Sequence, residues 1–121
     1  AVARATSDDG ITWERDPEPV LTKMHDWEVA IQDPRVIHTG EQYVMMYNAG
    51  RGSYSFAISD DGLAWERVQD DPVMPRSMFD RTPWVPTLTY HDGTYFAYIE
   101  RDVLRGTDIF VATYGGEFTT E

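Results

Sequence analysis

The sequence predicts an all-β chain assembled from an antiparallel unit of about fifty residues that is repeated along its length. The strongest observation is the repeat itself, because Ser7–Arg15 (SDDGITWER) returns 52 positions later as Ser59–Arg67 (SDDGLAWER). The second observation is alternation: apolar residues occupy every other position of Tyr54–Ile58, which is the period of a strand. The third is the distribution of turn-forming residues, since the 7 prolines and 9 glycines separate short apolar runs, none of which has a helical period.

Each copy of the repeated stretch predicts a β-hairpin. Its Ser-Asp-Asp-Gly segment is typical of a turn, because short polar side chains bond their own backbone and glycine accepts a positive φ. A strand precedes this turn, and a tryptophan followed by charged residues indicates a short outer strand. We therefore expect Trp13 and Trp65 to be core residues that hold the two hairpins in place.

Two further strands precede the hairpin in each unit. In Tyr43–Tyr47 both alternating faces are apolar, which indicates a strand covered on both sides. Four antiparallel strands per fifty or so residues, in sheets stacked face to face, are typical of β-propeller blades. The strands are expected near residues 2–7, 12–14, 34–38, 43–48, 54–59, 64–67, 85–90, 95–100 and 109–114.

This strand count divides the chain into three parts. Residues 1–26 are expected to form the outer hairpin of a first blade, residues 27–75 a full four-stranded blade, and residues 76–121 a third blade that lacks its outer strand. Propeller rings contain four or more blades, so the ring is incomplete in one chain. The alternatives are a fragment of a longer protein, an assembly of copies, or an open structure.

Composition excludes several classes of function. A net charge of −11 with 21 acidic residues argues against binding to nucleic acid or to an anionic membrane surface. The absence of cysteine excludes disulfides, thiolate metal sites and cysteine nucleophiles. No apolar run is long enough to span a membrane, and Ala1–Arg4 lack the apolar stretch of a secretion signal, so the compartment stays open.

No metal or cofactor is expected. The acidic pairs Asp8-Asp9 and Asp60-Asp61 lack the ligand alternation of a calcium loop and are typical of turns. The three histidines are scattered, without the histidine–carboxylate spacing of a zinc site. No serine occupies a nucleophile elbow. Tyr47, Asn48 and Arg51, beside the Gly-Arg-Gly turn, are candidates for the polar rim of a ligand site.

The order of the motifs resembles a known family. Ser-Asp-Asp-Gly-x-x-Trp, Pro-Val-Leu, Asp-Pro-x-Val, Tyr-x-Met-x-Tyr and a returning Ala-x-Ser-Asp-Asp-Gly resemble the five-bladed propellers of arabinanases, xylosidases, fructosidases and mannoside phosphorylases. The resemblance covers nearly all of the chain. It implies a central funnel that holds a sugar, with carboxylates at the start of the innermost strands. Glycosidases need such groups because one carboxyl protonates the leaving oxygen while another activates water or attacks the sugar.

The resemblance selects candidate site residues. Asp33, within Gln32–Val36, lies where the family carries its Asp-Pro motif, so it is the first catalytic candidate, as a charge that orients the sugar or modulates the acid. The alternative is an Asp-Pro turn that caps the strand. Arg35 is expected to pair with Asp33 or to touch substrate. Glu100, at a strand end, is the second acid candidate, with a solvated loop as the alternative.

The next blade departs from the family pattern, because Val85 occupies the position aligned with Asp33. Asp80 is an acid at the mouth of that strand, 52 positions after Glu28, and is a candidate for substrate binding. Trp27 and Trp84 lie beside the expected funnel, where an indole face could stack on a sugar ring or pack against a neighbouring blade.

Two hypotheses about function follow. The first is a glycoside hydrolase or phosphorylase domain that acts on an oligosaccharide or glycoside and is complete only with additional blades. The second is a non-catalytic carbohydrate-binding or self-assembling module, which the valine at position 85 favours. In a homodimer, residues 2–14 of one copy could complete the last blade of its neighbour. Sialidase-type propellers are a weaker match, because their turn is one residue longer and no arginine triad is recognisable.

Overall fold

The computed structural model describes residues 1–121 and consists of nine antiparallel strands and one turn of 3-10 helix. Three sheets are formed, with the strand orders β1–β2, β3–β4–β5–β6 and β7–β8–β9. The all-β prediction is confirmed, and a strand lies at or close to each expected position. The elements are β1 (Ala5–Thr6), β2 (Glu14–Arg15), β3 (Gln32–His38), β4 (Tyr43–Gly50), β5 (Ser53–Ser59), β6 (Glu66–Arg67), the 3-10 turn (Arg76–Met78), β7 (Pro83–His91), β8 (Thr94–Val103) and β9 (Gly106–Gly115).

The helical content is limited to that single turn. No helix is long and apolar enough to cross a membrane.

The sequence repeat is also a repeat of strand register. Val36 pairs with Met45 in the second sheet, and Leu88 pairs with Ala97 in the third, so both partners recur 52 positions later. Side chains at these repeated positions therefore face the same way in the two sheets, because orientation in a strand alternates with a period of two.

The first strand of each larger sheet begins with a bulge. The ladder is interrupted between Gln32 and Arg35 in β3, and between Pro83 and Pro86 in β7. Asp33 and Val85 lie inside these two interruptions. A bulge re-aims the side chains that it contains, so the two residues occupy equivalent, irregular positions.

The turns expected from Ser-Asp-Asp-Gly form as predicted. Asp9 Oδ1 accepts hydrogen bonds from the backbone N–H groups of Ile11 and Thr12, each at 2.8 Å. These bonds, together with one from Ser7, lower the pKa of Asp9 to about 2. The side chain of Asp61 makes the same pair of bonds in the second copy. The second acid of each pair is thus engaged in turn formation.

Two apolar clusters hold the sheets together. The first joins the β3–β6 sheet to the β7–β9 sheet, and the second joins Val2 and Leu21, which flank the β1–β2 hairpin, to the β3–β6 sheet. Strand β4 belongs to both, because Val44 and Met46 lie in the first cluster while Met45 and Tyr47 lie in the second. The prediction that this strand is covered on both faces is confirmed.

Trp13 and Trp65, the tryptophans of the two repeated stretches, have different environments. Trp65 is partly buried and packs against the second cluster, as expected. Trp13 is 61% exposed, so the prediction that it is a core residue is wrong. The reason is that its sheet contains only β1 and β2, and there is no inner strand for the indole to cover.

The third sheet has a longer central hairpin than the second. β8 and β9 have 10 residues each, whereas β4 and β5 have 8 and 7. The β4–β5 ladder closes at Gly50 and Ser53, while the β8–β9 ladder continues to Val103 and Gly106. The additional length lies at the end where β3 and β7 begin. We call this end the mouth of the sheets; it contains residues 32–33, 48–53, 84–85 and 100–106.

Candidate active site

Asp33 sits at the mouth in a strained backbone conformation. Its φ is +50°, which is the left-handed region that non-glycine residues rarely adopt. The residue is partly buried and lies within the bulge of β3. Strain of this kind persists only where the surroundings impose it, and it is often found at functional sites. The bulge therefore takes the carboxylate of Asp33, the first catalytic candidate, out of the regular alternation of side chains in β3.

Asn48, at the end of β4, is in contact with this carboxylate. Its Nδ2 donates to Asp33 Oδ2 at 3.4 Å, while its Oδ1 accepts the backbone N–H of Gly50 at 2.8 Å. The second bond fixes which way the amide points. The sequence predicted Asn48 only as a rim residue, and its contact with Asp33 depends on the pairing of β3 with β4.

Tyr54, on β5, links this group to the next blade. Its ring is fully buried, and its hydroxyl donates to the backbone carbonyl of Trp84. Burial, followed by the negative charge of Asp33, raises the pKa of Tyr54 to about 12. The sequence analysis treated Tyr54 only as part of an alternating strand. No local signal distinguishes it, because its partner is 30 residues away.

Trp84 lies in the bulge of β7 with its indole half exposed, at 50%. Its Nε1–H donates to Asp102 Oδ1 at 2.8 Å. With the carbonyl bond from Tyr54, the residue is fixed through its backbone and through its side chain. Asp33, Asn48, Tyr54 and Trp84 are thus gathered where β3 and β7 begin side by side.

Arg35 does not form the expected ion pair with Asp33. Its guanidinium donates only to the carbonyl of the adjacent Pro34, at 3.0 Å, and forms no salt bridge. The side chain is partly buried. Most of its five N–H donors therefore remain available to a ligand.

Glu100 occupies the repeat position of Asn48. It pairs with Ile109 as Asn48 pairs with Tyr54, and its side chain forms no hydrogen bond within the chain. In the β3–β6 sheet the mouth carboxylate is on the first strand. In the β7–β9 sheet, where the first strand has Val85, it is on the second strand instead.

Glu28 and Asp80 are equivalent in sequence but differ in environment. Glu28 is fully buried and forms an ion pair with Arg67 at 2.6 Å. It also accepts bonds from the Tyr47 hydroxyl at 2.9 Å and from the backbone of Met24 at 2.7 Å. Burial alone would raise its pKa, but these partners outweigh it and hold the pKa of Glu28 at about 2. Its role is structural.

Asp80 is largely exposed at the mouth and pairs with Arg101 Nη1 at 2.7 Å. The same guanidinium binds Asp108 through Nε, also at 2.7 Å. The hydrogen-bonded ion pair between Arg101 and Asp108 lowers the pKa of Asp108. Asp80 thus belongs to a charged group on the rim, and its remaining oxygen faces no partner in the chain.

Trp27 is engaged in packing. Its indole stacks on His25, with ring centroids 5.7 Å apart and planes inclined by 6°. Its Nε1–H donates to the carbonyl of Asp70 at 2.7 Å, in the loop that follows the outer strand β6. It also packs against the second apolar cluster. Of the two alternatives expected for Trp27, packing is the one that these contacts satisfy.

The turn between β4 and β5 is packed tightly at the mouth. A Cβ on Gly50, where φ is +86°, would lie 2.3 Å from Val29 Cγ2. A Cβ on Gly52 would lie 2.5 Å from Arg76 Cδ. Glycine is therefore required at both positions. Between them Arg51 is exposed, so its guanidinium is presented at the rim.

Two comparisons with known proteins agree with this architecture. The family model described as beta-1,4-mannooligosaccharide phosphorylase, glycosyl hydrolase family 130, matches residues 1–100. Among solved structures, an exo-1,5-alpha-L-arabinanase from a bovine ruminal metagenomic library is similar, with 19% identity and a TM-score of 0.51. The similarity covers 78% of this chain and 33% of the arabinanase chain. No curated protein sequence matches the chain.

The arabinanase likeness supports the fold, and the chain spans about a third of that protein's length. The partial propeller, as well as its resemblance to sugar-cleaving propellers, is thus confirmed. Because the family model covers residues 1–100 of 121, the chain belongs to the beta-1,4-mannooligosaccharide phosphorylase family.

Proposed function

We propose that this chain contributes part of the sugar site of a carbohydrate-active propeller, which cleaves a glycosidic bond in an oligosaccharide by hydrolysis or phosphorolysis. The observation that carries the proposal is the conformation of Asp33. A carboxylate is held in left-handed backbone at the bulged start of an innermost strand, with Asn48 bonded to one oxygen. The other oxygen is free to accept a sugar hydroxyl.

The chemistry divides between two candidate acids. Cleavage requires a proton for the leaving oxygen and an attacking oxygen, from water or phosphate, at the anomeric carbon. Asp33, fixed by Asn48, is suited to orient the sugar. Glu100 has no partner in the chain and is the candidate proton donor. Both residues lie at the mouth, Asp33 on β3 and Glu100 on β8.

The remaining mouth residues supply binding groups. Trp84 presents a half-exposed indole on which a sugar ring can stack. Arg35 has free guanidinium donors for hydroxyl or phosphate oxygens. Asp80 offers a carboxylate oxygen at the rim. The family name makes a β-1,4-linked mannooligosaccharide the first substrate to test.

The test compares two aspartates with the same backbone strain. Asp33 has a φ of +50° and Asp92 has a φ of +49°, but Asp92 lies in the turn between β7 and β8, at the opposite end of the sheet. With β-1,4-mannooligosaccharide, release of sugar 1-phosphate with phosphate present is measured beside hydrolysis, and binding is measured by calorimetry. We expect Asp33→Asn to reduce turnover by about a hundredfold or more and Asp92→Asn to leave it unchanged. Equal rates for Asp33→Asn and the native protein would refute the proposal.

The second candidate function is self-assembly, in which copies of the chain bind one another. The observation in its favour is an exposed apolar face on the β7–β9 sheet, formed by Tyr98, Ile109 and Val111. By register, these are the repeat partners of Met46, Tyr54 and Phe56, which are buried between the second and third sheets. The face has the character of a surface that packs against a further blade.

Under this second proposal, residues 2–14 of one copy dock against the last sheet of its neighbour. Light scattering coupled to size exclusion distinguishes the candidates. A dimer that dissociates when Val111 is changed to Glu would support assembly. A monomer for the native chain at all concentrations would rule it out.

A further inference from the structure

The extension of the β8–β9 hairpin bears on how Trp84 is used. After Asn48–Tyr54 the β4–β5 ladder has one further pair, Gly50–Ser53, whereas after the equivalent pair Glu100–Ile109 the β8–β9 ladder has three, ending at Val103–Gly106. By the 52-residue offset Asp102 corresponds to Gly50, so the preceding blade has no side chain at this position. Asp102 is the residue whose carboxylate accepts the Trp84 indole N–H.

Three contacts attach this end of β8 to residues 80–84, which lead into β7 and begin it. The backbone N–H of Asp102 donates to the carbonyl of Thr82 at 2.9 Å. Arg101 pairs with Asp80 at 2.7 Å. The third bond is that between Trp84 and Asp102, at 2.8 Å. The hairpin extension and the start of β7 are consequently held together as one rim.

The bond to Asp102 decides which part of the indole a ligand meets. An indole has one polar group, its N–H, and Asp102 occupies it. The half-exposed remainder is apolar ring surface, and the backbone beneath it is held by Tyr54. A residue that is held through both its backbone and its side chain loses little conformational freedom when a ligand stacks on it.

Trp27 provides the contrast within the same chain. Its N–H bonds to a backbone carbonyl, and His25 covers one face of its ring. No aromatic ring stacks on Trp84. Only the second of the two indoles is thus both immobilised and open.

We propose that Asp102 is a positioning residue, which holds the indole of Trp84 as a stacking platform for a pyranose ring of the oligosaccharide at the mouth. This role rests on the proposed carbohydrate function. A pyranose presents a face of C–H groups, which matches apolar ring surface, while its hydroxyls point toward the polar rim. Asp102 does not touch the sugar and acts through Trp84.

Three variants test this role in the full chain. Asp102→Ala removes the acceptor, Asp102→Asn keeps an acceptor oxygen without the charge, and Trp84→Ala removes the platform. We expect Asp102→Ala to weaken binding of β-1,4-mannooligosaccharide by about fivefold, and Asp102→Asn to bind nearly as the native chain does. In a turnover assay, the loss should appear in KM with kcat unchanged.

Two further readouts separate positioning from a general structural role. The indole N–H of Trp84, assigned in NMR spectra by comparison with Trp84→Phe, should exchange with solvent faster in Asp102→Ala than in the native chain. The effects of Trp84→Ala and Asp102→Ala on binding should be far from additive, since both act through one platform.

The outcomes are distinct. Native-like binding by Asp102→Ala, additive effects, or unchanged indole exchange would overturn the positioning role while leaving the carbohydrate function intact. If the native chain binds no oligosaccharide at all, the proposed function falls and this role falls with it.

Discussion

The β3–β6 and β7–β9 sheets share one strand register, yet residues at equivalent positions near their mouths have different roles. Glu28 is buried against Arg67, whereas Asp80, 52 positions later, is exposed and binds Arg101. The paired positions 33 and 85 differ just as clearly, since one holds a strained carboxylate and the other a valine.

The difference shows which features the repeat preserves. In β8 the buried side chains lie on one face, so a shift of the pairing by one residue would turn them toward solvent. β4 is buried on both faces, so the same shift would exchange its side chains between the two apolar clusters. Side chains at the mouth contact solvent, ions or a ligand, so they can change between blades without loss of the core. Repeat equivalence therefore predicts where a residue lies, but not what it does.

The largest expected change in stability comes from removing Glu28, and it tests the contrast between Glu28 and Asp80. Glu28→Ala leaves the buried Arg67 guanidinium and the Tyr47 hydroxyl without their partner. Breaking a buried ion pair costs about 3–5 kcal/mol, so we expect a strong decrease in the free energy of unfolding, measured by urea denaturation. The matched control, Asp80→Ala, should cause little change, because exposed ion pairs contribute little. Equal destabilisation by the two variants would contradict the distinction.

Much of the fold could be predicted because its signals are local. The Ser-Asp-Asp-Gly turns form through bonds that span two or three residues, and β4 is buried on both faces as its composition indicates. The prediction for Trp13 failed for a non-local reason. Whether an outer-strand tryptophan is buried depends on inner strands that the first sheet does not contain.

The site was less predictable, for the same reason. Asp33 was selected through its motif, but its contact with Asn48 needs the β3–β4 register, and the bond from Tyr54 to Trp84 spans two sheets. Asp102 carried no signal, because its role depends on three-dimensional proximity to Trp84. Residues that act through long-range contacts are not recognisable from one sequence.

A second prediction uses pH to sharpen the contrast between Glu28 and Asp80. The pKa of Glu28 is lowered from 4.5 to about 2 in the folded chain. A lowered folded pKa stabilises the fold above the unfolded value, and this stabilisation is lost as the pH falls from about 4.5 toward 2. We expect the difference in unfolding free energy between the native chain and Glu28→Gln to be constant near neutral pH and to shrink across that range. A pH-independent difference would show that Glu28 is not the titrating group. Asp80→Asn is the exposed control, and its unfolding free energy at neutral pH should differ little from that of the native chain, because exposed ion pairs contribute little.

The smallest effect concerns Trp13 and Trp65. Trp65→Ala should cost about 2 kcal/mol, because a partly buried indole loses its packing against the second cluster. Trp13→Ala should change stability by less than about 0.5 kcal/mol, since its ring is 61% exposed. Urea denaturation at several protein concentrations measures both. A cost for Trp13→Ala that appears only at high concentration would mean that another copy covers the ring, which would favour assembly over the open arrangement. A cost at every concentration would instead show that Trp13 packs within its own chain, and that the contrast between the two hairpins is smaller than their exposure indicates.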